Sequence, residues 1–432
     1  MLPHLQGEDM IRETVLPFKL DKTDDTMTAL AGLALFGEFL EALGLPEKLG
    51  RAFPGPGSAR GYQAWEYVRP LLLMLHGGGR TLEDLRKIAD DAGLRRILRM
   101  DRVPSTDAVG DWLRRMGRSG EAALGAVLNA VLHRALAQEE RAEYTLDPDA
   151  TAIEAHKESA QWTYKGFRGY YPMMGHLAEN GLVICHEFRE GNDSPHARNL
   201  EFYRACKAAM PPGKKIAAYR ADSAAYQGAL LDELADDGVV YAVGADQDAA
   251  VKEAIRCIPP ERWTPYRDGY VAETVHTMNK MRHAFRLVVF KRLGQGALFE
   301  GKGAFYHAVA STREEGPEAT MDWYHARGEH SENRIKELKC DFGMERMPCG
   351  QFEANALFFA IGVLAYNLYK LFNSRALPAQ YERARCCTVR YHAYCVAGKV
   401  IQTGRSLVLK VCEALLKEFQ AIRLAVARLA PV

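Results

Sequence analysis

The 432-residue chain is 48% hydrophobic with a formal charge of +1, which excludes a disordered chain and gives no overall basic excess pointing to nucleic acid. Charge is locally sorted instead: residues 51–118 hold 13 Lys/Arg against 8 Asp/Glu, residues 382–410 hold 6 against 1, and residues 1–50 hold 4 against 9, as a protein with one DNA-facing side needs. The nine cysteines begin at Cys185 and include no CxxC pair, so neither a zinc site nor a disulfide framework is expected. No leader and no apolar run of about 18 residues is found, so a cytoplasmic protein with no membrane partner is expected.

Residues 1–24 read as a polar arm. From Thr26, the spacing of Leu30, Leu33, Phe36, Phe39, Leu40 and Leu43 predicts a helix closed by Gly44 and Pro46. A strongly apolar helix over 62–76 follows. The Gly77-Gly78-Gly79 run has no Gly-Lys-Ser/Thr after it, so it reads as a helix breaker and not a phosphate loop. Residues 104–118 predict a short helix with Arg114, Arg115 and Arg118 on its outer end. It is either a DNA-contacting element of a helix-turn-helix kind or a solvated amphipathic helix.

After Glu143 the period changes. Strands are predicted near 144–146, 175–177, 182–188, 215–221 and 239–243, with helices at about 192–209 and 224–234, which together make a mixed sheet flanked by helices. Segments 284–291 and 305–311 are β-rich, and Gly301-Lys302-Gly303 reads as a turn. The nearby Trp263, Tyr266 and Tyr270 either stack on an unpaired base or fill a core. Residues 353–372 read as a buried helix packed under the sheet. Basic residues punctuate 385–412. The tail 411–430 is an amphipathic helix whose apolar face (Val411, Leu415, Phe419, Ile422, Leu429) serves either dimerisation or packing on its own chain.

Two acidic residues, Asp149 and Asp222, stand where a β-prone run stops and a small-residue turn begins, the strand end at which α/β proteins build sites. Downstream, residues from Ser331 onward read as a helix with Glu332, Lys336 and Lys339 at i, i+4 and i+7. Alone, that is an exposed helix with an ordinary ion pair. With the two strand-end Asp it suits a site for two hard divalent cations that want oxygen ligands. Asp147-Pro148-Asp149 also permits a rival reading, the DxD metal motif of a nucleotidyl- or glycosyl-transferase. Pro148 as a mark of the strand edge favours Asp149 as ligand, and the rival leaves Asp222 and residues 324–339 without a role.

Asp149, Asp222 and Glu332, with Tyr324, Arg327 and Lys339 around the last, resemble the DDE transposases of bacterial insertion sequences. The likeness is to the group with the Tyr-Arg-Glu-Lys signature, and closest to the insertion sequence thirteen-eighty family. Arg220-Ala221-Asp222-Ser223 and the stretch from Glu332 to Lys339 carry its most specific motifs. Four residues separate Arg327 from Glu332 where the group has three, so a bend at Gly328 or a helix bulge is expected.

The resemblance implies an α/β (α+β) fold: an RNase-H-like mixed sheet with flanking helices, a β-rich insertion before the Glu helix and a helical N-terminal domain. The implied division is a DNA-binding domain over 1–142, a core over 143–244 and 317–375, an insertion over 245–316 and a basic dimerisation region over 376–432. Asp149, Asp222 and Glu332 are implied as catalytic residues and ligands of Mg²⁺, with Mn²⁺ as a substitute. Tyr324, Arg327, Lys336, Lys339, Arg114, Arg115 and Arg118 are implied as DNA-binding residues. The implied partners are double-stranded DNA, at terminal inverted repeats and target, and a second copy of the chain in a synaptic dimer; the implied reaction passes through a hairpin intermediate. An inactive, transposase-derived DNA-binding protein is the alternative: three occupied acidic positions favour activity, and the irregular spacing favours its loss.

Overall fold

Nine strands make the central sheet: β1 (Glu143–Ala150), β2 (Met173–Leu177), β3 (Val183–Glu187), β4 (Lys215–Ala221), β5 (Val240–Gly244), β6 (Thr264–Tyr266), β7 (Gly269–His276), β8 (Phe285–Arg292) and β9 (Phe305–Ser311). The computed structural model describes residues 16, 18, 20–292 and 304–430, and for 329–332 the helical backbone alone. Most of the expected N-terminal arm and the turn at 301–303 therefore lie outside the described residues.

The strands lie in the order β3-β2-β1-β4-β5-β9-β8-β7-β6. β1, β4 and β5 are parallel, while β2 and β3 run antiparallel to their neighbours, the mixed arrangement expected of an RNase-H-like core. β9 pairs antiparallel with β5, and β8, β7 and β6 continue as a meander. The β-rich segment thus extends the edge of the core sheet.

Three helices matter for the site: α1 (Thr106–Ala137), α2 (Pro317–Lys336) and α3 (Phe352–Arg375). The basic stretch expected as a separate short helix is the first arm of α1, which is kinked at Gly117 (φ 43°, ψ −129°), a conformation open chiefly to glycine. α3 has the length and composition of a membrane-crossing helix, yet 94% of its apolar window is buried. It packs chiefly along α1. It also secures the sheet edge, because the Asn367 amide accepts from Val183 N at 2.9 Å and donates to Val183 O at 2.8 Å.

Thr26–Thr28 is a short strand paired with Gly398–Thr403, so the first helix begins only at Ala31. Pro46 does not close that helix; it sits in the first turn of the next one, Leu45–Ala52, where its missing N–H costs nothing. The C-terminal helix Glu413–Ala427 buries Phe419, Ile422 and Val426 and packs on Ala31–Ala42 of its own chain, with Arg423 paired to Glu38 at 2.8 Å.

Two buried histidines contribute to the acid sensitivity of this core. His76 stacks on Phe36 at 3.7 Å with Nε2 3.1 Å from Ala365 O, and His176 on β2 has no hydrogen-bond partner at either ring nitrogen. Burial pushes both down to about 3, so the native state refuses protons that the unfolded chain accepts below about pH 6.5. Stability is therefore full above that pH and falls as pH drops toward about 3, by about 1.4 kcal/mol per pH unit for each group. His76→Phe should reduce this slope, measured as urea midpoints between pH 7 and pH 5; an unchanged slope would exclude His76 as a cause.

Candidate active site

β1 and β4 pair in parallel as far as Leu146 beside Tyr219. One residue further, Asp147 and Arg220 meet in a two-pronged ion pair, Nε to Oδ1 at 2.8 Å and Nη2 to Oδ2 at 2.7 Å. The Asp147 side chain has no exposed surface and that of Arg220 retains 5%. Burial pushes the Asp147 carboxyl up, and the Arg220 guanidinium opposes it. Arg220 also donates Nη1 to Trp323 O at 2.8 Å and lies 5.0 Å from the Trp323 ring, which fastens α2 across β4. Because both oxygens of Asp147 are engaged, the DxD reading loses one of its two ligands.

Asp149 follows two residues later on the same face of β1, and Asp222 stands one residue past the end of β4. Pro148 is not the strand edge: β1 continues through it to Ala150 by pairing with β2. The ladder to β4 stops before it, which leaves a crevice at the carboxyl ends of two parallel strands. Asp222 accepts from Ala224 N at 3.1 Å and so caps the short turn Ser223–Ala225.

α2 covers this crevice. Arg327 Nη1 lies 3.8 Å from Asp149 Oδ2, with the two side chains 13% and 16% exposed. Burial disfavours the guanidinium charge, but Asp149, Tyr324, Asp222 and Asp147 more than offset this, so its pKa is raised. The buried Tyr324 rests on the end of β5. A Cβ on Gly244 would come 2.9 Å from its hydroxyl and 3.1 Å from Ser223 N, so the close approach requires glycine there. His307 and His325 stack beside Tyr324 with centroids 5.8 Å apart, and burial pushes both imidazoles down.

Neither the bend expected at Gly328 nor the alternative bulge lies between Arg327 and Glu332, because α2 runs unbroken from Pro317 to Lys336. The irregularity is a π turn at Glu337–Asp341. It is held by Glu337, paired with Lys370 at 2.5 Å and accepting from Cys386 N at 3.0 Å, and by Asp341, paired with Arg385 at 2.6 Å. A π turn spends more residues per revolution than an α-helix, so Lys336 and Lys339 do not share a face. Lys336 is exposed. Lys339 is half-buried and donates to Ala152 O at 2.9 Å and Thr151 Oγ1 at 3.4 Å, in the loop after β1.

The Glu332 side chain lies outside the described residues. Its backbone belongs to α2, between Arg327 and Arg334, and the latter holds Leu177 O at 3.2 Å and Ala178 O at 2.5 Å. Arg114, Arg115 and Arg118 are exposed on α1. Arg114 pairs with Asp111 at 2.5 Å and borders a cleft of 590 Å³ with Arg80, His156, Lys157 and Arg346.

Tyr171 was not anticipated from the sequence, where Tyr170-Tyr171-Pro172 carries no motif. It is buried, with its hydroxyl 2.9 Å from that of Tyr164. Burial, Tyr164 and the Asp222 and Asp149 carboxylates together push its pKa up. Among the described residues no three His, Cys, Asp or Glu gather into a metal-holding group. Asp149 and Asp222 supply two all-oxygen donors, a chemistry that fits a hard divalent cation.

Asp147→Ala should destabilise the protein by about 3–5 kcal/mol, because it strands a buried guanidinium. Replacing both partners, Asp147→Leu with Arg220→Met, should recover much of that loss. Urea midpoints of the two variants test this, and a single variant as stable as wild type would show that the pair is dispensable.

Residues 15–432 match the family described as Transposase DDE domain group 1. No curated protein gives a significant sequence match. Matching solved structures include a piggyBac transposase synaptic complex with hairpin DNA, 10% identical, with 92% of this chain and 80% of that chain covered and a TM-score of 0.46. With the family match spanning nearly the whole sequence, the chain belongs to the DDE transposases of domain group 1.

Proposed function

We propose that the protein is the transposase of a bacterial insertion sequence, of the Tyr-Arg-Glu-Lys group and the thirteen-eighty family, and that it cuts and joins DNA at the terminal inverted repeats of its own element. One observation carries this reading. Asp149 and Asp222 stand at the ends of neighbouring parallel strands beneath α2, the helix that contains Tyr324, Arg327 and Glu332.

Asp149, Asp222 and Glu332 are the residues to hold Mg²⁺ or Mn²⁺, which when bound activates the attacking oxygen and neutralises the leaving oxygen of an in-line displacement at phosphorus. Arg327, paired with Asp149, exchanges that carboxylate for a phosphate oxygen when Asp149 takes the metal. Tyr324 rests on Gly244 at the end of β5, beside the turn that presents Asp222. Lys339 holds the loop leaving β1, and Lys336 with the three arginines of α1 faces the DNA backbone. Water is the first nucleophile and the freed 3′-hydroxyl the second, with a hairpin at the element end. The helical region 1–142 binds DNA, the strands of 245–316 form the insertion, and 376–432 joins two copies in the synaptic complex.

Asp222→Asn should abolish Mg²⁺-dependent nicking and leave DNA binding intact; nicking by the purified variant would remove Asp222 from the ligand set. The two lysines should separate in a salt titration. Lys336→Ala is expected to lower the slope of log affinity against log salt by about one, the signature of a lost phosphate contact. Lys339→Ala is expected to slow cleavage with the slope unchanged, because its ammonium is committed to Ala152 O. The reverse pattern would exchange the two roles.

A further inference from the structure

Immediately after β1 the chain builds a small three-stranded sheet in which Arg168–Tyr170 lies between Ile153–Glu154 and Gln161–Trp162. Its base is tightly held. Arg168 donates to Ala160 O at 2.8 and 3.0 Å, and the Ser159 and Tyr170 hydroxyls are 2.7 Å apart. Gly191 packs so close to the hairpin that a Cβ would lie 2.5 Å from Gln161 O. The tip is equally defined: Phe167 O accepts from Thr163 N and Thr163 Oγ1, each at 2.8 Å, and Gly166 turns the chain at φ +83°.

This rigid hairpin carries two large aromatic rings into solvent. Trp162 is 66% and Tyr164 62% exposed, and Lys165 Nζ lies 5.7 Å from the Tyr164 ring. The tip is tied to the candidate active site, since the Tyr164 hydroxyl meets that of Tyr171 at 2.9 Å and Tyr171 lines, with Pro148 and Asp222, the small cleft at the strand ends. The aromatic residues that the sequence offered for base stacking are placed differently. Tyr266 is buried and donates to Asp322 at 2.5 Å, Trp263 packs against Tyr306, and Tyr270 is exposed on β7 with no cation on its ring among the described residues.

We propose that Trp162 and Tyr164 form a stacking platform for unpaired bases of the DNA strand held at the Asp149–Asp222 crevice, with Lys165 on the adjoining phosphates. This rests on the transposase reading above. The occupant follows from the chemistry: exposed rings beside a cation match single-stranded nucleic acid, whose bases stack on aromatic faces whatever their sequence. A turn fixed in advance spares the ordering cost of binding. Its link through Tyr171 sets the platform next to the scissile phosphate, where cutting leaves bases without partners.

The test uses the full-length protein in EDTA, so that no strand is cut, with two labelled probes: a blunt duplex and the same duplex with a short oligothymidine 3′ overhang. Wild type should prefer the overhang. Trp162→Ala combined with Tyr164→Ala should lose that preference, by roughly five- to a hundredfold, with thermal stability unchanged. Trp162→Phe keeps a stacking face and should retain most of it. A wild type without preference, a preference that survives the double variant, or a Phe variant as weak as the Ala variant would each overturn the platform alone. Wild-type protein that binds neither probe would overturn the transposase reading together with the platform.

Discussion

The buried pair between Asp147 and Arg220 is the constraint on which the site depends. It joins the two parallel strands that end in Asp149 and Asp222, and through Trp323 O it fixes the helix that lies over them. Desolvating two charges costs about what their attraction returns, so the pair is weak evidence for stability. Its value is in register. A slip of β4 by one residue would set Asp147 against Tyr219 or Ala221 and leave two buried charges unpaired, while every side chain of that strand changed face. The geometry of the outer pair is thus inherited from the inner one.

Around the crevice, burial keeps the neighbouring polar groups neutral. Tyr171, Tyr324, His307 and His325 all shift toward their uncharged forms. Among the described side chains, the charges at the crevice are chiefly Asp149 and Asp222 against Arg327, in surroundings where each acts with little screening. That arrangement suits a site whose work is to balance charge building on a phosphate.

Much of this was legible in the sequence. Lys215–Ala221 matches the strand read from its β-prone run, and both strand-end aspartates fall where small-residue turns placed them. Pro148 misled, because its missing N–H ends one ladder while the other continues through it. The helix read from Ser331 starts at Pro317, since residues 317–330 are too polar for periodicity to reveal. The π turn could not be read at all. It exists because Glu337 and Asp341 are claimed by Lys370, Cys386 and Arg385, partners some 30 to 50 residues away. Tyr171 was hidden for a related reason: a lone tyrosine acquires meaning only when the fold sets it beside two carboxylates.

The pairing of Thr26–Thr28 with Gly398–Thr403, together with the last helix lying on the first, closes the polypeptide into a ring without a covalent bond. The helix Ala31–Ala42 consequently emerges from the ribosome long before the C-terminal helix that covers part of its apolar face. A product shortened by a late frameshift would lose the partners of its first elements as well as its end. Removal of Gly398–Thr403 and Glu413–Ala427 would therefore bare apolar surface at both ends of the fold at once, and a local truncation would be felt as a distant unfolding.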